Sequence, residues 1–271
     1  FPYTTLFRSS VQVSGQQIKL MVELVEAPGG RIVWAERLLG DLRGVWAAED
    51  PMIATIVAEV GAAIMQHELR RASSHAMPTV KSYGLLLGAI ALMHRSSTSE
   101  FDTSKAMLEH LIERDRRHAR PYAWLANWHA LRVTQNRSAT PDIDTRLAFE
   151  NTQRALDRDP HCALALAIDG VLQLNLRKDA ATAKARLAAA LDANPNESLA
   201  WLFQGLLHAF AGDGEPAEQA SARALMLSPV DPMRHYYDSL AASAALGARH
   251  YARAIELAQR SLRANRMHPS T

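Results

Sequence analysis

A single cysteine, Cys162, stands among 271 residues. That count excludes an internal disulfide framework and the multi-cysteine zinc patterns, and is compatible with a reducing compartment. Charge of one sign is also missing. Thirty Lys and Arg oppose 28 Asp and Glu, a formal net charge of +2, so no field argues for nucleic acid or an anionic membrane. The longest apolar runs, around Leu85 to Met93 and Met52 to Met65, fall short of the 18 or so residues that cross a bilayer. Eleven histidines are present, but none has the spacing of a HExxH site, and His67-Glu68 lacks its second histidine. Gly212-Asp213-Gly214 lacks the lysine and flanking strand of a phosphate loop and is expected to be a turn. Asn136-Arg137-Ser138 and Asn196-Glu197-Ser198 match the glycosylation pattern, which carries no weight without an export signal. A cysteine nucleophile needs an activating base and an electropositive niche. At a packed helix start, Cys162 is expected to be a small buried hydrophobe. No catalytic residue, metal or cofactor is expected.

Apolar residues make up 48% of the chain, enough for a sizeable core. In the first 45 or so residues, Ile18, Leu20, Val22 and Leu24 alternate with Lys19, Met21, Glu23 and Val25, the period of a strand with one face more deeply buried. Ala27-Pro28-Gly29-Gly30 supplies a turn, and Arg31 to Arg37 (RIVWAER) a second strand to pair with the first. Val11 to Ser14, ending at Gly15, is expected to add one more short strand. So few strands cannot bury both faces alone. The helix that follows is expected to begin at Asp50-Pro51 and run to about Arg71, with Ile53, Ile56, Val57 and Val60 on one side.

From Val80 onward the pattern is helical and repeats. Ala155-Leu156-Asp157-Arg158-Asp159-Pro160, Ala190-Leu191-Asp192-Ala193-Asn194-Pro195 and Ala224-Leu225-Met226-Leu227-Ser228-Pro229 place their prolines 35 and 34 residues apart. Ala148, Ala183 and Ala217 precede these endings at a fixed distance. Ala126, Gly170 and Gly205 fill a small position further upstream, and Trp201 lies four residues before Gly205. Small residues there let paired helices approach closely. The pattern resembles the tetratricopeptide repeat, a 34-residue helix-turn-helix unit, over about Val80 to Asn265. The clearest copies span 119–160, 163–195 and 198–231. The expected fold is therefore mainly α, a tetratricopeptide-type α-solenoid of helix hairpins over 80–266, preceded by a small partial α/β segment over 10–72, a β-hairpin plus helix. Some positions depart from the repeat. About ten extra residues between Leu131 and Thr145 predict an extended loop. Asp169 occupies a usually apolar position, Arg116 stands where the repeat has proline, and Ala248-Arg249-His250 puts the last copy about three residues out of register.

The run VSGQQIKLMVELVEAPGGRIVWAERLLGDLRGVWAAEDPMIATIVAEV is similar to the end of the TolB-like α/β domain of bacterial signalling proteins. Gly15, Leu24, Gly30, Trp34, Ala35, Glu36, Arg37 and Asp41 carry that resemblance. In such proteins the domain lies between an N-terminal output module, either DNA-binding or an adenylate/guanylate cyclase, and C-terminal tetratricopeptide repeats. Phe1 to Ser9 resembles the translation of a common sequencing adapter. On that reading residues 1–9 are an assembly scar, the competing view being an ordinary strand, and the chain is a fragment. Residues 267–271 directly follow a second helix, without the polar capping helix that closes repeat arrays.

The resemblance also implies a concave groove lined by the first helices of successive hairpins. By register the groove positions include Arg120, Ala123, Asn127, Leu164, Ala167, Val171, Leu199, Leu202, Leu206 and Phe210. Their apolar character argues against a clamp for acidic peptide tails. It fits a protein or peptide partner, or another domain of the same parent chain. The alternative is that these leucines pack between neighbouring repeats. The expected function is a non-enzymatic interaction and sensor region of a cytoplasmic bacterial signalling or transcriptional regulator. A regulatory region of a nucleotide cyclase and an assembly scaffold are the alternatives.

Overall fold

A computed structural model describes residues 5–26, 29–41, the helical residues 56, 59–61, 63, 64, 66 and 67, and then 82–95, 97–228 and 233–264. The expected cap at Asp50-Pro51, Ile53 and Val57, the end of the chain from 265 onward, and Pro229 lie outside the described residues. The chain divides into two compact units, Phe1–Ser74 and His75–Thr271.

In the first unit β1 (Thr5–Ser14), β2 (Gln17–Glu26) and β3 (Ile32–Asp41) form an antiparallel meander in that order. Alternation in β2 sets the register: Ile18, Val22 and Leu24 are buried while Lys19 and Met21 are exposed. Val25 is buried too, because the β2/β3 register shifts between Leu24 and Val25. Gly15 and Gly30 take positive φ at the two turns. β1 begins well before Val11, at Thr5, and pairs with β2 along its whole length. It adds little core, since Phe7, Val11 and Val13, opposite Leu24, Leu20 and Ile18, stay more than half exposed. His67 Nε2, on a helical residue, lies 3.7 Å from the Glu26 carboxylate at the end of β2.

The second unit is a series of helix hairpins: α1 (Ser82–Met93) with α2 (Thr98–Arg114), α3 (Ala119–Thr134) with α4 (Pro141–Arg158), α5 (Ala163–Leu172) with α6 (Ala180–Ala193), α7 (Ser198–Ala211) with α8 (Gly214–Leu227), and α9 (Arg234–Gly247) with α10 (Tyr251–Ala264). Each first helix packs on its own partner, and α3, α5, α7 and α9 pack in succession. The small residues account for the closeness. Ala126, Ala148, Ala155, Ala183, Ala190, Ala217 and Ala224 are fully buried. A Cβ added at Gly170 would come within 2.8 Å of Leu187, and one at Gly205 within 2.4 Å of Ser221 Oγ.

Successive hairpins are joined by one recurring turn. The amides of Asp115, Asp159 and Asn194 donate to the carbonyls of Leu111, Ala155 and Ala190, closing the helices. Their side chains then accept from the amides of Arg117, His161 and Asn196 at 3.0 Å. Arg116 replaces the expected proline without loss of this turn, because Asp115 supplies the hydrogen bond. The Arg116 carbonyl accepts from Arg158 Nε at 2.5 Å.

Inside the hairpins the connections turn through a left-handed residue: Asn136, Lys178, Gly212 and Arg249, at φ of 55°, 59°, 82° and 62°. One expectation changes here. The insertion between Leu131 and Thr145 does not form one long loop; α3 continues to Thr134 and α4 starts at Pro141, where a proline at the first turn suits the helix. The one-residue excess of the Pro160-to-Pro195 interval is taken up by a π-helical turn, Gln173–Arg177, that prolongs α5. As expected, Gly212-Asp213 is the turn between α7 and α8.

Candidate functional site

The residues placed in the groove by register divide sharply. Asn127, Leu164, Val171, Leu199, Leu202 and Leu206 are buried, Leu202 completely, as are Ala123 and Ala167. Arg120 is exposed at the start of α3, and Phe210 is 63% exposed at the end of α7. In this structure the leucines are packing residues. α3, α5 and α7 are flanked by other first helices as well as by their partners, which leaves little of their surface to solvent. Leu246, at the place in α9 that Phe210 holds in α7, is 58% exposed. The 34-residue spacing carried forward from Phe210 reaches the buried Ala244; Leu246 is matched to Phe210 by its place in the helix, which starts 36 residues after α7.

Two contacts show what lies against these faces. Asn127 Nδ2 donates to Met93 Sδ at 3.5 Å, joining α3 to the end of α1. The Tyr237 hydroxyl meets Ser198 Oγ at 2.8 Å, joining α9 to the start of α7. A third contact spans hairpins that are not neighbours. The ring of His94, just after α1, lies 5.2 Å from that of Tyr236 and 6.1 Å from that of His235 on α9.

Polar chemistry is concentrated inside three hairpins, each of which buries a carboxylate. In the second, Asp144 on α4 accepts from His129 Nδ1 at 2.6 Å and from Ser138 Oγ, with Arg132 Nε at 3.6 Å. Burial by itself would raise the Asp144 pKa, but the hydrogen bonds from Ser138 and His129 and the charge of Arg132 hold it below the usual carboxylate value. Burial also pushes the His129 imidazole below its usual value, against the pull of Asp144. The carboxylate sits between the hydroxyl and the imidazole, so the imidazole cannot take the serine proton as a nucleophile relay requires. This cluster fastens the connection between α3 and α4. In the third hairpin, Asp169 on α5 pairs with Arg186 Nε on α6 at 2.8 Å, and burial raises the Asp169 carboxyl despite that charge. In the fifth, Asp238 on α9 receives Arg260 Nε at 2.8 Å from α10 and Arg234 Nε at 3.1 Å from its own helix.

Cys162 is buried at the start of α5, and burial raises its thiol pKa, which disfavours the thiolate. Among the described residues no group of three His, Cys, Asp or Glu side chains is placed to hold a metal ion, and no helix is long and apolar enough to cross a membrane. An open cleft of about 370 Å³ lies between α4 and the π-helical turn. Phe149 forms part of it, under the Arg177 guanidinium at 3.9 Å.

No protein-family model matches the chain. It is 26% identical over 177 residues, 63% of its length, to a putative adenylate cyclase 3 of Rhizobium meliloti (strain 1021). The match covers 30% of that relative, so the chain spans less than a third of its length. Among solved structures, TTC0263, a thermophilic TPR protein of Thermus thermophilus, aligns over 69% of this chain and 92% of its own, with 17% identity and a TM-score of 0.50. That likeness shows the fold, a tetratricopeptide-type α-solenoid, preceded here by the three-stranded sheet. YrrB, a TPR protein with an unusual peptide-binding site, aligns over 75% of this chain at 16% identity and a TM-score of 0.37, too low to bear on shape or binding.

Proposed function

We propose that this chain is a non-enzymatic protein-interaction and sensor region of a bacterial cytoplasmic signalling or transcriptional regulator, taking a protein or peptide partner along the first helices of its array. The observation that carries this reading is that two successive first helices each end in an exposed apolar side chain at the same helix position, Phe210 on α7 and Leu246 on α9. A large apolar group in water at equivalent places in consecutive repeats is what a partner's apolar side chains would cover. Arg120 supplies an exposed cation on α3. Asn127, Leu164, Val171, Leu199, Leu202 and Leu206 are buried in the same first helices, and on this reading they act by packing those helices together. The test is affinity capture with the intact chain, identification of the partner, and titration of that partner against Phe210→Asp with Leu246→Asp. An affinity loss of roughly tenfold or more is expected. Unchanged affinity in a folded double variant removes this face from the account.

A second reading is favoured by the cyclase-named relative: the array regulates an adenylate or guanylate cyclase in the same parent chain. The two readings differ in the parent's output domain. Upstream coding sequence with paired metal-binding aspartates supports the cyclase, and a DNA-binding helix-turn-helix supports the transcriptional regulator.

A further inference from the structure

In a stacked repeat array each unit touches its neighbours, and contacts between the first and fifth units are not part of the plan. Here His94, after α1, meets His235 and Tyr236, at the start of α9, ring against ring at 6.1 and 5.2 Å. All three side chains are buried. The joint is reinforced from both sides: Ser261 Oγ of α10 donates to the His235 carbonyl at 2.7 Å, and Arg137 of the second hairpin donates to the Arg95 carbonyl at 3.4 and 3.5 Å. We propose that this contact is a latch that holds the array closed across its first helices and opens when the His235 imidazole is protonated.

The surroundings fix the direction of the response. Burial disfavours the charged form of His235 most strongly, and Arg95 adds to that, while a hydrogen bond with the His94 backbone and the charge of Asp238 work the other way; the balance lies below the ordinary value of 6.5. Asp238 is itself engaged by Arg234 and Arg260. A group whose pKa is depressed in the closed form gives that form its full stability above 6.5 and withdraws it as pH falls below that value. The latch is thus closed at neutral pH and weakened in mild acid. Its role as a gate for a partner rests on the reading proposed above; the latch itself does not.

Hydrogen exchange on the full chain tests it, with a change made on one side and read on the other. His94→Ala is expected to raise amide exchange at the start of α9 by about tenfold or more at pH 7.5, with α3 and α4 unaffected. The wild-type chain, corrected for intrinsic rates, is expected to lose part of that α9 protection between pH 7.5 and 5.5. His235→Phe keeps a ring in place but cannot be protonated, and is expected to keep α9 protected at both pH values. Unchanged α9 exchange in His94→Ala overturns the latch, and an unchanged wild-type pattern at pH 5.5 overturns its release by protonation. Should His94→Ala unfold altogether, the wild-type and His235→Phe pH series decide the matter. An α9 that loosens without any gain in partner affinity leaves the latch standing and removes its role as a gate.

Discussion

In the α7/α8 hairpin the helices meet at Gly205, where an added Cβ would lie 2.4 Å from Ser221 Oγ and 3.0 Å from the Ala217 carbonyl oxygen. In the α3/α4 hairpin they meet across a buried carboxylate, Asp144, held by His129, Ser138 and Arg132. One repeat pattern therefore tolerates two kinds of cohesion. The first depends on volume and is indifferent to pH. The second depends on every member of a polar cluster being in place, because a buried charge without partners costs several kcal/mol.

Breaking the polar hairpin gives the largest expected effect. Asp144→Ala removes the acceptor that His129 and Ser138 share, and is expected to cost about 3–5 kcal/mol, read by urea unfolding or by exchange at α3 and α4. Acid reaches the same cluster without mutation. The contribution of His129 is full above 6.5 and declines as pH falls below it. That of Asp144 is present above 3.8 and is lost at lower pH. Exchange in α3/α4 should therefore rise in acid before exchange in α7/α8. Crowding the apolar hairpin comes next: Gly205→Leu is expected to cost about 1–3 kcal/mol by forcing α7 from α8, with no pH dependence of its own. Asp169→Leu sharpens the contrast by restoring the repeat's usual apolar residue in the third hairpin. Arg186 stays solvated on the surface, but the buried Gln173 amide loses its acceptor at 3.4 Å, so the two effects offset and a change within about 1 kcal/mol is expected in thermal unfolding. The smallest effect is at a turn. Lys178 holds φ of 59°, a conformation that costs a side chain with Cβ about 1 kcal/mol, and Lys178→Gly should recover part of it as a small rise in melting temperature.

The contrast also separates what is legible in the sequence from what is not. The alternating face of β2, the buried alanines and the turns at Asp159 and Asn194 all follow from short spacings, so residue types alone reveal them. The insertion after Leu131 reads as a loop because its polar residues match loop composition, yet Pro141 is well suited to open a helix. The alternation of β1 is clear only from Val11, since Thr5 to Ser10 carry no such pattern, but pairing with β2 continues through them. The groove register identifies side chains on first helices, of which Arg120 and Phe210 are exposed. The burial of Leu199, Leu202 and Leu206 depends on packing between helices, and the meeting of His94 with Tyr236 on a contact between the first and fifth hairpins. No local pattern encodes such distant encounters.

The π-helical turn at Gln173–Arg177 has a consequence for how such a chain can change length. One surplus amino acid is absorbed by looser winding at the end of a helix, and the next copy begins in phase. A solenoid able to do this can accept single-codon insertions without displacing every element downstream, so variation in spacing need not disturb the alignment of its first helices.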